Sequence, residues 1–155
     1  MKLGDVLKKE RERKKLTIDD VSKRLGITSD EYLEVEAGNS PAEEWGPRLA
    51  LIAIKLQVPT SRLIAETGKS KDAKQVEGQC GKLIASHRTK RSLSLQELAE
   101  KIEVQPPAME SIENGGSPLE SYAPLLLAFA EVIDQPIFNL FYPCGLPLDK
   151  LTDYP

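Results

Sequence analysis

Histidine and cysteine are nearly missing from this chain. It holds one histidine, His87, and two cysteines, Cys80 and Cys144. Two distant thiols and one imidazole do not make the ligand set of a standard zinc site, and free thiols in a reducing compartment are expected rather than a disulfide. Long apolar runs are missing too: nothing approaches the ~18 consecutive apolar residues of a membrane span. The opening Met1-Lys2-Leu3-Gly4-Asp5 reads into a polar helix without the apolar centre of a signal peptide, so a cytoplasmic location is expected. No nucleophile–base constellation, phosphate loop or metal set is visible, so neither an enzyme nor a bound cofactor is expected. Nor is there an excess of positive charge. Residues 1–68 hold twelve Lys/Arg against twelve Asp/Glu, and residues 80–155 hold six against ten, so composition carries no basic footprint for nucleic acid.

What is present is a folded globular composition, 40% apolar and 29% charged, and a repeat. A shift of 77 residues aligns 3–64 with 80–141 without a gap. The identical pairs include Gly4/Gly81, Arg11/Arg88, Glu36/Glu113, Gly38/Gly115, Pro41/Pro118, Glu43/Glu120, Pro47/Pro124 and Pro59/Pro136. Apolar character is kept at Val21/Leu98, Leu25/Ile102 and Val35/Ile112. The matches fall on turn residues and core positions, which a shared fold constrains. The polar, glycine-flanked stretch 68–79 reads as a linker. The expected organisation is one domain over 1–67, the linker, a second domain over 80–142 and a tail over 143–155.

Each copy reads as five helices, so the fold class is all-α. Helix one covers about 3–14 and 80–91. Helix two follows Thr17 and Ser94; Ser94 with Glu97 is a capping box and Thr17 with Asp20 a variant of it. Ile18, Val21, Leu25 and Leu95, Leu98, Ile102 are buried stripes at helical spacing. Helix three follows Thr28, with Glu31 completing a second box, or begins at Pro106, which lacks only an N–H that the first turn does not use. Gly38 and Gly115 end it as left-handed caps. Pro47 and Pro124 do not suit a helix interior, so the main part of helix four is expected to start there. A short fifth helix follows Pro59 and Pro136.

This order, with Leu16-Thr17 and Leu93-Ser94 before helix two, Leu98-Ala99 within it, and Glu36-Ala37-Gly38 and Glu113-Asn114-Gly115 after helix three, resembles the Cro/repressor helix-turn-helix family over about four-fifths of the chain. The resemblance implies two tandem lambda-repressor-like domains. It implies that Arg11 pairs with Glu36 and Arg88 with Glu113 as structural clamps between helices one and three. It also implies a DNA-binding transcriptional regulator, with helix three in the major groove and phosphates held at the start of helix two and in the loop after helix three. Carried onto this chain, the candidate DNA contacts are Lys14, Lys15, Thr17, Thr28, Ser29, Glu34 and Asn39 in the first copy. In the second copy they are Ser94, Gln105, Ser111 and Asn114.

Several residues depart from that pattern. Ile18 and Leu95 stand where the family places a phosphate-binding glutamine. The first reading helix carries Asp30, Glu31 and Glu34, which repel a polyanion together. The second opens Pro106-Pro107-Ala108, with few donors for base edges. The cluster Lys8, Lys9, Arg11, Arg13, Lys14 and Lys15 is interleaved with Glu10 and Glu12 and reads first as a solvated helix face, and only second as a phosphate contact. A protein-binding adaptor that keeps the fold is therefore the alternative to double-stranded DNA as partner. Helix four of the second copy is apolar on most sides, from Tyr122 to Ile133 with Glu131 alone charged. It needs cover from the tail, from the first domain or from a second copy, and a homodimer through this helix and the tail is the first expectation.

Overall fold

The computed structural model describes residues 1–145; residues 146–155, most of the expected tail, lie outside the described residues. The fold is all-α, with no strand among the described residues. In chain order the helices are α1 (Leu3–Arg13), α2 (Ile18–Leu25), α3 (Ser29–Glu36) and α4 (Ala42–Leu56), then a 3-10 turn at Thr60–Leu63. A short α5 (Ser70–Ala73) leads to α6 (Gln79–Lys90), α7 (Leu95–Lys101), α8 (Pro106–Glu113) and α9 (Leu119–Val132). Two 3-10 turns, Ile137–Leu140 and Tyr142–Cys144, close the described chain.

The 77-residue offset holds in the backbone. The starts of α2 and α7, of α3 and α8, of α4 and α9, and of the first two 3-10 turns coincide under it. So do the left-handed residues: Lys15 with Ser92, Gly26 with Glu103, Gly38 with Gly115 and Gln57 with Asp134 all have φ between 56° and 79°. The same corner is turned each time, once by a glycine and once by a glutamate at the second of these positions.

Local chemistry accounts for the boundaries. Thr17 Oγ1 accepts from the Asp20 N–H at 3.0 Å while Asp20 accepts from the Thr17 N–H at 3.0 Å. Ser94 with Glu97 and Thr28 with Glu31 repeat this reciprocal cap. The expected start of helix four after the prolines is not what occurs: Pro47 and Pro124 lie inside α4 and α9. Each sits near the start of its helix, where the missing N–H forfeits one bond. The preceding turn is already fixed, by Trp45 N–H to Pro41 O and Tyr122 N–H to Pro118 O, both 3.0 Å, and by burial of Ala42 and Leu119.

The halves share one hydrophobic core. Helix α4 runs against α9, and α2 and α5 cover further sides of α9. Each half's 3-10 turn rests on the first helix of the other: Thr60–Leu63 on α6 and Ile137–Leu140 on α1. Tyr32 of α3 stacks on Phe129 of α9 with ring centroids 6.3 Å apart. Cover for the apolar α9 comes in large part from the first half, and Leu126, Leu127, Ala128 and Phe129 are buried within this chain. The stretch expected as a linker contains α5, whose first N–H, at Ser70, donates to Glu131 Oε2 of α9 at 3.0 Å. No single helix among the described residues is long and apolar enough to cross a membrane.

Candidate nucleic-acid interface

Two glycines set how closely helix one approaches helix three. A Cβ at Gly4 would sit 2.3 Å from the Glu36 carbonyl oxygen, and one at Gly81 2.3 Å from that of Ile112. That close approach brings Arg11 within reach of Glu36. Arg11 Nε donates to Glu36 Oε2 at 2.7 Å and Nη2 to Oε1 at 3.2 Å, while Nη1 donates to the Leu16 carbonyl at 2.9 Å. Arg88 forms the same fork with Glu113, at 2.7 and 2.9 Å, and donates to the Leu93 carbonyl at 2.8 Å. The carboxylates raise both guanidinium pKa values. Each fork ties three elements together: the first helix, the corner before the second, and the end of the third.

A second pair of carboxylates plays a role that sequence reading did not assign. Glu43 accepts the N–H groups of Leu3 at 2.7 Å and Gly4 at 3.1 Å; Glu120 accepts those of Cys80 at 3.2 Å and Gly81 at 2.9 Å. A carboxylate on orphan N–H groups at a helix start satisfies them and meets the positive end of the helix dipole. The identity of Glu43 with Glu120 across the repeat was the only signal in the sequence, because the capped helix lies 39–40 residues away.

The clamps leave the outer sides of α3 and α8 exposed. On α3 these are Asp30, Glu31, Leu33 and Glu34, with Tyr32 and Val35 buried. On α8 they are Pro107, Ala108, Glu110 and Ser111, preceded by exposed Gln105 and followed by exposed Asn114. Helix α3 thus presents three carboxylates and α8 presents one. A groove of about 300 Å³ runs beside α3, with Glu31 and Glu34 on one wall and Tyr122 and Leu125 of α9 on the other.

The candidate contacts divide in the same way. Thr17, Thr28 and Ser94 are N-caps whose hydroxyls already accept a backbone N–H. Ser29 is half-buried and donates to Asp19 Oδ1 at 2.6 Å. Lys14 and Lys15 are exposed at the α1–α2 corner, with Lys15 at φ 57°. Glu34 and Asn39 are exposed on and after α3. Gln105 occupies the N-cap of α8 but its side chain makes no capping bond, and Ser111 and Asn114 are also exposed. Gln105, Ser111 and Asn114 therefore form an uncommitted polar set, whereas Thr28 and Ser29 are spent within the fold.

Three buried or half-buried groups complete the picture. The Tyr32 hydroxyl is buried beside Glu36 and Arg11 without a hydrogen-bond partner, and burial, then the Glu36 carboxylate, pushes its pKa up. Burial likewise pushes the Cys80 thiol up, next to Glu120. His87 is half-buried at the junction of the halves. No group of three or more potential metal ligands exists among the described residues. No protein-family model matches the chain, and no curated protein or solved structure matches it either.

Proposed function

We propose that the chain is two tandem Cro/repressor-type helix-turn-helix domains fused into one pseudo-dimer, and that it binds double-stranded DNA as a transcriptional regulator, reading chiefly through its second half. The observation that carries this reading is the duplicated fork. Arg11–Glu36 and Arg88–Glu113 hold α3 and α8 in matching positions against helix one, so that a short helix presents its polar side outward. In and beside α8, Gln105, Ser111 and Asn114 are exposed hydrogen-bonding groups without a run of carboxylates. The first half, whose α3 is acidic and flanked by α9, serves as the built-in brace.

The test is a titration of the whole chain against mixed duplex fragments at ~50 and ~200 mM salt, a range over which phosphate-driven binding falls steeply. Binding at low salt that weakens when Gln105 and Asn114 are both changed to alanine is the expected result. No binding at either salt sinks the DNA reading. A second reading is favoured by Leu33, an exposed leucine on α3 between Asp30 and Glu34. An apolar anchor rimmed by carboxylates suits a basic protein surface, and the chain is then an adaptor that keeps this scaffold. Leu33→Asp abolishing capture of a protein partner, with DNA ignored, would establish it.

A further inference from the structure

The first half's 3-10 turn and α6 of the second half meet in a cleft of about 430 Å³. Pro59 and Leu83 line its floor; Arg62, Ser86, His87 and Lys90 line its sides, with Glu66 as the one carboxylate. Arg91 closes the end of α6, donating to the His87 carbonyl at 3.1 Å and to the Gln57 carbonyl of the first half at 3.4 Å. Cationic side chains from both halves therefore converge on one small volume.

Their charges are open. The Arg62 guanidinium donates to the backbone carbonyl of Glu66, not to its carboxylate. Among the described residues, neither Arg62 nor Lys90 is in a salt bridge. The positions related by the repeat are different: Asn139, Glu10 and Arg13 replace Arg62, His87 and Lys90, and there Arg13 is neutralised by Glu10 at 2.6 Å. The chain thus closes the charge at one junction and leaves it open at the other. The imidazole registers the difference: burial, then the positive charges of Arg91 and Lys90, hold His87 below its ordinary pKa.

We propose that this cleft is a phosphate site, in which Arg62 and Lys90 supply the charge, and the Ser86 hydroxyl and His87 Nε2 supply hydrogen bonds, His87 Nδ1 being already 3.3 Å from Arg91 Nη1. Such a group is either a diester of a DNA backbone or the phosphate of a small molecule. The chain runs on from α6 through Arg91 to Ser94, the cap of α7. The site stands on its own geometry; its assignment to DNA rests on the function proposed above.

His87 is the only histidine, so its ring proton resonances report the site without ambiguity. The intact chain is titrated by proton NMR with and without about 10 mM inorganic pyrophosphate, at ionic strength matched with chloride. Bound phosphate favours imidazolium, and an upward move of the His87 midpoint by about 0.5 unit or more is expected. The move should vanish in the double variant Arg62→Ala, Lys90→Ala, whose substituted side chains are exposed. No movement with pyrophosphate, or equal movement in the double variant, overturns the site. A parallel arm uses mixed duplex DNA. A shift with both ligands supports a backbone contact. A shift with pyrophosphate alone supports a small phosphorylated ligand. Duplex that binds by anisotropy while pyrophosphate leaves His87 still overturns the site and spares the DNA reading.

Discussion

At the scale of single residues, the arginine of each fork does more than balance a charge. Arg11 gives three bonds, two to Glu36 and one to the Leu16 carbonyl, from a planar group nearly out of contact with water. Arg11→Ala strands the Glu36 carboxylate and should lower stability by about 2–3 kcal/mol. Arg11→Lys should restore less than half of that, because an ammonium cannot reproduce the fork; denaturant midpoints decide both. A second residue effect follows from the repeat. Glu103 holds φ 60° at a corner that Gly26 turns in the other half. A left-handed conformation costs an ordinary residue about 1–2 kcal/mol, and glycine's greater freedom when unfolded returns part of the gain. Glu103→Gly should therefore raise stability by about 0.5 kcal/mol, read as a higher melting temperature. Residue-level legibility was uneven. The partners Arg11 and Glu36 were legible because a family resemblance supplies them, while Glu43 as a cap for α1 was not, since nothing local ties it to Leu3. The unpartnered Tyr32 hydroxyl was equally hidden, because only packing against Phe129 and α1 removes it from water.

At the scale of helices, starts were legible and prolines misled. Caps such as Thr17–Asp20 and Ser94–Glu97 are contained within four residues, so sequence suffices to place them. Pro47 and Pro124 argued for later starts because intrinsic propensity says nothing of the burial that holds Ala42 and Leu119. The caps make a pH prediction. The N–H groups of Thr17 and Ser94, then their hydroxyls, hold the Asp20 and Glu97 carboxyls below their ordinary values. A depressed acid stabilises the fold fully above its unfolded pKa, near 4 for carboxyls, and that contribution fades as pH falls through the lower folded value. Amide protection factors at the first turns of α2 and α7, taken against the intrinsic exchange rate at each pH, should fall on acidification below about pH 4, and the Asp20→Asn and Glu97→Gln variants should lose most of that dependence. Protection factors that are equally pH-sensitive in the variants would refute the assignment.

For the molecule as a whole, the duplication was plain in the sequence and the mutual packing of the copies was not. Periodicity showed that α9 was too apolar to stand alone, yet nothing in a single chain of letters distinguishes tail, neighbour or second copy as its cover. The answer lies in three-dimensional fit: Gly46 lies against Leu3, Leu126 and Phe141, a spot where a Cβ would come within 2.8–3.1 Å of their side chains. With one core spanning both halves, unfolding should be a single cooperative transition by circular dichroism. Phe129→Ala, which empties the contact with Tyr32, should cost about 3–5 kcal/mol and lower that one midpoint. Two resolved transitions would mean that the halves fold independently.

The reciprocal seating of each 3-10 turn on the opposite first helix has an evolutionary corollary. Partners joined by peptide bonds meet at the same ratio at any dilution, and each meets only the other. Selection is thereby released from demanding that one surface be complementary to itself. Mutations on either side are free to accumulate without being copied onto the other, which is how a duplicated unit comes to carry acid on one short helix and paired prolines on its twin.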